Sequence, residues 1–474
     1  MATRVAIGGA AGFAGDRTDA AGPLVEALAQ FAGPRFLMFE TLAERTLALS
    51  QLERRRDPQT GFNPALDRFV GPVLATCLRE RIRIIGNFGA ANPRAAAARI
   101  LALAQVQGLP APRIAVVEGD DLTGVLSAQQ LAARETGGAI LRDASEIIAA
   151  NVYLGAGEIA QALNEGADIV VTGRVADSAL ALGPLMHAFG WRADDWDRLA
   201  AGTLAGHLLE CGSQVTGGYF ADPPYKAVPE MAELGYPIAE IEAGGGMVIT
   251  KPAGTGGRVD RATVIEQLLY EIHDPAAYLA PDVVLDVTDV AVEEIGPDRV
   301  RVTGARGRPA PPTLKATVCV DGGVLGEAEI SYAGANAAAR ARLAAATIQE
   351  RMRSRAPDLV VRTDAIGVVS VLGSNASAPD WPAEARDVRL RFAAQSHDSV
   401  AVERLLDEVE ALYCAGPAGG CGVRRRLTPR LASASCLIER TFVSPRVTML
   451  EHDPEKWVPV FGKRPCSNKA GGGA

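Results

Sequence analysis

The side chains best suited to chemistry in this sequence are a histidine and a carboxylate three residues apart, in AGTLAGHLLECGSQVTGG. If Thr203 to Glu210 is helical, His207 and Glu210 share a face, and a pair so placed can orient and charge one another for proton transfer. The same spacing also suits a helix cap or a core hydrogen bond. Cys211 beside them is a nucleophile only if its thiolate is stabilised, and otherwise a small buried apolar residue. Gln214 and Thr216, in the glycine-rich break that follows, are candidates for substrate contact.

Two further polar groups follow short apolar runs. EGDD places Glu118, Asp120 and Asp121 where carboxylates act as general bases or, for Asp120 and Asp121, as oxygen ligands to a divalent metal; acids there also cap turns and helices. TGRVADS sets Arg174 and Asp177 at i, i+3. A local ion pair of that kind contributes only about 0.2 to 0.5 kcal/mol. The chemical alternative, which we adopt as the expectation, is that Arg174 grips a substrate carboxylate through its planar fork while Asp177 holds the fork in place.

Glycine-rich loops supply the remaining candidates. In ITKPAGTGGRV, Lys251, Gly254, Thr255 and Gly256 suggest converging amides beside a cation, an anion cradle, followed by a helix with Thr263 and Glu266 at capping-box spacing. The order is not that of a P-loop. AGPAGGCGVRRR joins a flexible backbone at Gly419 to Arg424, which can meet a phosphate or carboxylate or simply form an exposed basic run. GGAAGFAGD matches a dinucleotide turn loosely through Gly9, Gly12 and Gly15; Asp16 falls inside the turn, and Glu40 ends the next apolar run at a distance compatible with ribose recognition. A tight turn around a substrate, with Gly12 and Asp16 in contact, is the simpler reading. GNFGAANP adds Asn87 and Asn92.

These loops need elements to hold them. RVAIGG, PRFLMFE, IRIIGNFG, PRIAVVEG and ADIVVTG are short aliphatic runs, and all but the fourth are soon followed by helix formers, as in ANPRAAAARILALAQVQGL. That alternation predicts an α/β fold over 1–190: a parallel sheet with helices on both faces and its loops along one edge, where such proteins bind small molecules. Residues 191–280 read as a helical and Gly-rich cap or insertion. Over 281–460, alternation in VAVEEI, RVRVTG, KATVCV and GEAEISY predicts an antiparallel sheet, covered by the helices NAAARARLAAATIQERMRS and SVAVERLLDEVEALYCAG, an α+β domain. The tail 461–474 has no pattern and reads as disordered.

Composition bounds the partners. The 474 residues are 48% hydrophobic and 22% charged, enough for a large core, and the net charge of −8 is spread along the chain rather than concentrated. Nucleic acid is therefore not an expected partner, and an anionic ligand needs a local basic site. No run reaches the roughly 18 apolar residues of a bilayer span, and the start carries no signal-like pattern, so a cytoplasmic location and no membrane partner are expected. The seven cysteines contain no C-x-x-C pair and predict neither a thiolate zinc site nor a disulfide framework. Large cytosolic α/β enzymes are commonly symmetric, so a homo-oligomer is expected.

Taken together and in order, GFAGDR, LAERTLA, NFGAANPRA, EGDDL, YLGAGEIAQAL, ADIVVTGRVADSALALGPLMHAFGW, LAAGTLAGHLLECGSQVTGG, ITKPAGTGGRV and GPAGGCGVR are similar to the acyclic terpene utilisation (AtuA) family, from about Val5 to Leu450. The resemblance implies a catabolic setting, the degradation of citronellol and geraniol through branched acyl-CoA intermediates, and does not supply a mechanism. Family members often carry a serine where this chain has GGAAGFAGD, so a hydroxyl contact is lost there. Longer members continue into a small ferredoxin-like domain, which implies a separate small ferredoxin-like subunit as a partner. The expected function is an enzyme acting on a branched or unsaturated carboxylate or its acyl-CoA thioester, of lyase or hydratase type, with CoA present as part of the substrate. In it His207, Glu210, Asp120 or Asp121 move a proton, Arg174 and Asp177 hold a carboxylate, and the loops at Lys251 and Gly419 stabilise an anion. The alternatives are a non-catalytic acyl-CoA-binding or scaffold subunit and an NAD(P)-dependent oxidoreductase.

Overall fold

The computed structural model describes residues 2–142, 144, 146–371 and 385–450. The five aliphatic runs form five parallel strands, in the order Arg4–Gly12, Arg35–Glu40, Arg83–Gly86, Ile169–Thr172 and Ile114–Glu118 across the sheet. They are unbroken runs because both faces are covered. Helices Ala21–Ala29, Leu66–Glu80 and Pro93–Val106 bury Leu24, Phe69 and Ile100 on one face. Gly157–Asn164, Ala179–Phe189 and Trp196–Glu210 bury Ile159, Leu182 and Leu208 on the other. Asn92, with Pro93 at the first helical position, starts the third helix by accepting from the Ala95 amide at 3.3 Å.

The fourth run, which lacked a following helix pattern, explains the order. After Glu118 the chain leaves this sheet, and strands Glu135–Thr136 and Ile147–Val152 pair with a second one before Gly157–Asn164 leads back to Ile169–Thr172. Residues 191–280 hold the helix Trp196–Glu210, but their IAEIE and MVIT are strands, Ile238–Glu242 and Met247–Thr250, that extend the first sheet antiparallel from Arg4–Gly12. VAVEEI and RVRVTG pair with each other as expected, yet Ala291–Gly296 and Arg299–Thr303 continue this same sheet instead of joining KATVCV. Arg446–Met449 closes the opposite edge against Ile114–Glu118.

KATVCV and GEAEISY are one strand, Thr313–Ala333, running straight through Asp321-Gly322-Gly323. Gly323, at φ 75°, makes a bulge: the ladder to Cys421–Glu439 breaks between Asp321 and Val324 and resumes in the same direction. Asp387–Ser396 pairs with the second half of this long strand and Ile147–Val152 with the first. Helices Ala337–Arg355 and Ser399–Ala415 cover one face over Ile330, Tyr332, Leu390 and Phe392. The result is a large mixed sheet with a parallel centre and separate antiparallel sheets.

Among the described residues no helix is long and apolar enough to cross a membrane. Six cysteines are free thiols. Cys466 and the tail 461–474 lie outside the described residues.

Candidate functional site at the carboxyl edge of the parallel strands

The parallel strands end together, so the segments after Gly12, Glu40, Gly86, Glu118 and Thr172 share one edge. The helix Trp196–Glu210 brings its C-terminus to the same place, and the glycines of the first strand make room for it. A Cβ on Gly9 would lie 2.8 Å from the Leu209 oxygen, and one on Gly12 2.4 Å from the Cys211 carbonyl carbon. Asp16 closes the turn by accepting from the Gly12 amide and the Arg17 amide, both at 2.7 Å, and from the Tyr236 hydroxyl at 2.5 Å. The space a pyrophosphate needs beside this loop is thus filled by the protein's own backbone. Gly12 and Asp16 build the wall of the site and give no support to a dinucleotide turn.

His207 is 1% exposed, with Nδ1 3.0 Å from Glu210 Oε1 and Nε2 3.3 Å from the Leu268 carbonyl. A carbonyl only accepts, so Nε2 carries hydrogen and a single proton lies between Nδ1 and Glu210. Burial works against a charge on His207, but the hydrogen bond and charge of Glu210 outweigh it and raise its pKa. Burial raises Glu210 too, against the pull of His207 and with help from the charge of Asp177. Both ring nitrogens are occupied, so His207 acts through Glu210, whose Oε2 bonds no described residue. Burial and the neighbouring Glu210 push the Cys211 thiol up, which removes the thiolate that nucleophilic attack requires.

The expectation that Arg174 grips a substrate carboxylate does not match its position. It is 2% exposed, donates to the Leu42 carbonyl at 2.5 Å and to the Val175 carbonyl at 2.6 and 2.8 Å, and pairs with Asp177. Its guanidinium therefore lies beneath the site as a fixed counter-charge. Asp177, with a side chain 35% exposed, is the member of the pair that reaches solvent. Beside it, Glu40 anchors Oε1 on the Asn87 side-chain amide at 2.8 Å and the Leu42 amide at 2.9 Å, while Asn87 Oδ1 accepts from the Thr41 amide at 2.7 Å. Burial, then the charge of Asp177, raise Glu40 well above the ordinary carboxylate range despite Arg174. Burial also raises Asp177, opposed by Arg174.

Asp120 stands behind this group. Its Oδ2 accepts from the Asn151 side chain at 2.8 Å and from the Arg174 amide at 3.0 Å, tying three strand ends together, and burial pushes its pKa up to about 6. Asp121 caps its own turn through the Thr123 amide at 2.8 Å. Among the described residues no three His, Cys, Asp or Glu side chains converge to hold a metal ion.

The other candidates serve the scaffold. Lys251 donates to the Thr255 carbonyl at 2.7 Å and lies 3.2 Å from Asp298, and the Gly256, Gly257 and Arg258 amides donate to the Glu233, Pro229 and Thr216 carbonyls. The loop of Gly254, Thr255 and Gly256 is a crossing of chains in which the Thr255 and Gly256 amides donate to the Pro252 and Glu233 carbonyls, not an open anion cradle. The following helix begins one turn before the spacing predicted: Asp260 caps it and Thr263 completes the box, while Glu266 pairs with Lys226. Thr216 donates to the Gly235 carbonyl at 2.6 Å, and Gln214 lies beside Tyr270, whose pKa it helps to lower against burial. Asn92 ties down the Pro58 and Thr60 carbonyls at 2.8 and 2.7 Å. Gly419 lies in the turn that leads into the strand Cys421–Glu439 of the antiparallel sheet, where Arg424 is exposed in register with Glu329.

Sequence reasoning missed the partners that come from elsewhere in the chain. Tyr153, on the detour, donates its hydroxyl to Glu44 Oε1 at 2.5 Å and lies 4.5 Å below the Arg174 guanidinium and 4.8 Å from Lys315 Nζ. Lys315 comes from the long antiparallel strand and is 3.5 Å from Glu44. Tyr278 stands 5.7 Å from the His207 ring. A carboxylate at the end of a strand, as in PRFLMFE, was a readable signal for Glu40, whereas pairings between separate elements of the chain carry no local signal at all.

No curated protein and no solved structure matches this chain. The family model described as acyclic terpene utilisation family protein AtuA matches residues 5–449, which take in the parallel sheet, its carboxyl edge and the antiparallel sheet that supplies Tyr153 and Lys315. This chain belongs to the acyclic terpene utilisation (AtuA) family.

Proposed function

We propose that this protein is a catabolic enzyme that performs acid/base chemistry, as a lyase or hydratase, on a branched or unsaturated carboxylate or its acyl-CoA thioester. The observation that carries the reading is the matched anchoring of three carboxylates at one sheet edge. Glu40, Asp177 and Glu210 each fix one oxygen, on Asn87, Arg174 and His207 respectively, and keep the other free of described residues. Burial raises the pKa of all three, and the charge of Asp177 raises Glu40 and Glu210 further.

Such a set supplies an acid and a base together. In hydration of an α,β-unsaturated acyl group, an ionised carboxylate takes a proton from water as the water oxygen bonds the β-carbon. A protonated carboxylate gives its proton to the α-carbon, and the two groups end with exchanged protonation states, which solvent resets. Dehydration is the reverse. The catabolic setting of the family supports the substrate class.

The test is incubation with 3-methylbut-2-enoyl-CoA in deuterium oxide, followed by mass analysis of the thioester. Deuterium uptake or water addition that Glu210→Gln abolishes supports the reading. Binding of the thioester with no exchange and no product in the wild type overturns it in favour of a non-catalytic acyl-CoA-binding subunit.

A further inference from the structure

We infer that Lys315, on the antiparallel sheet, recognises a carboxylate of the ligand at this edge, in exchange for the protein's own Glu44. The inference rests on the acid/base reading for the location of the ligand, and it moves the anion-binding role from the parallel sheet to the other sheet.

Arg174 and Lys251, two of the three cations that sequence reasoning chose for an anion, are spent. Arg174 is buried with its N–H groups directed to Leu42, Val175 and Asp177, and Lys251 is 5% exposed between Thr255 and Asp298. Lys315 differs on each count. Its side chain is 52% exposed, it donates no hydrogen bond to a described residue, and its one ion pair among the described residues is with Glu44 at 3.5 Å, while its charge also acts on Asp177. An ammonium has three donors, so those hydrogens remain to be used.

The surroundings already show what the ammonium is arranged to meet. Lys315 Nζ lies over the Tyr153 ring at 4.8 Å, and the Tyr153 hydroxyl donates to Glu44 Oε1 at 2.5 Å, the same oxygen that faces Lys315. The Tyr153 amide donates to the Lys315 carbonyl at 2.9 Å, which fixes the two residues side by side. An ammonium and a phenol thus converge on one carboxylate oxygen, supplied here by the protein. Glu44 is the first residue of the helix Glu44–Arg56 and its side chain is 40% exposed, so a rotation of its own torsions vacates the place. A ligand carboxylate entering beside Asp177 finds the same two donors, while a neutral acyl group of the same shape has no charge to offer Lys315.

The test compares 3-methylbutanoate with 3-methylbutanamide, an anionic and a neutral probe of one shape, by calorimetric titration of the whole protein. The wild type is expected to prefer the acid, and Lys315→Met to weaken acid binding about tenfold or more while leaving the amide unchanged, the loss of a charge-assisted hydrogen bond. Glu44→Gln is expected to strengthen acid binding, since the internal competitor loses its charge. A preference for the acid that survives in Lys315→Met, or a wild type with no preference, overturns the assignment. Lys315→Arg, which keeps the charge, is expected to retain the preference and separates charge recognition from loss of fold. Acid preference lost in Lys315→Met together with no proton exchange on any thioester would leave Lys315 assigned and defeat the acid/base reading alone.

Discussion

His207 and Glu210 share one proton across a 3.0 Å contact, because the other ring nitrogen of His207 is committed to the Leu268 carbonyl. The pair is neutral as a unit, whichever partner holds the proton, and this lets a buried carboxylate stand at the head of a site without a large desolvation cost.

Removing the imidazole should strand Glu210 and leave the Leu268 carbonyl without its donor. His207→Ala is expected to cost about 2 to 4 kcal/mol of stability, the sum of an unpaired buried group and a cavity, measurable by urea unfolding. His207→Gln, which retains a donor, should recover part of it. If the Ala variant is as stable as the wild type, the shared proton contributes nothing.

Asp120 gives stability a defined dependence on pH. Its folded pKa, about 6, lies above the ordinary value of 3.8, so the folded state holds the proton more tightly. This stabilisation is complete below about pH 4 and is lost as pH rises through 6, on the order of 3 kcal/mol in all. Unfolding free energies collected across that window should fall with rising pH less steeply in Asp120→Asn than in the wild type; equal slopes would refute the account.

Arg174 is irreplaceable by lysine on this geometry. Lysine cannot reach the Leu42 and Val175 carbonyls and Asp177 together, so Arg174→Lys is expected to lose about 3 to 5 kcal/mol. Thermal unfolding reads the loss directly, and an unchanged midpoint would mean that the guanidinium is not the counter-charge of the site.

The glycine of the first loop is a packing residue. Gly12→Ala places a methyl group against the backbone of Cys211 and Gly212, at 2.4 and 2.6 Å, where neither side can yield without moving the helix terminus. A loss of about 1 to 3 kcal/mol is expected. If the variant instead keeps full stability and loses only binding of a nucleotide, the phosphate reading of GGAAGFAGD is restored.

Thiol reactivity should rank by exposure and not by proximity to the site. Cys414 and Cys421 are exposed, whereas burial and Glu210 hold the Cys211 thiol protonated. Timed alkylation with iodoacetamide, read by peptide mass, is expected to label Cys414 and Cys421 well before Cys211. Preferential labelling of Cys211 would revive it as a nucleophile.

The sequence by itself determined what depends on near neighbours in the chain. The aliphatic runs, the Asn92 start of its helix, the His207–Glu210 helical pair and the gathering of strand-end loops all follow from periodicity and from the common direction of parallel strands. Tertiary structure decided what depends on direction and pairing. Arg174 and Lys251 looked like free cations because sequence does not show which carbonyls lie within reach of them, and burial made them scaffold. The expected antiparallel strands divided between two sheets because Arg299–Thr303 pairs with Met247–Thr250, and KATVCV and GEAEISY became one strand because Gly323 makes a bulge and does not reverse the chain. Tyr153, Tyr278 and Lys315 joined the site only through contacts between residues far apart in the chain. For the same reason, the upward pKa shifts of Glu40, Asp177 and Glu210 come from desolvation and neighbouring charge, which exist only once the chain has brought them together.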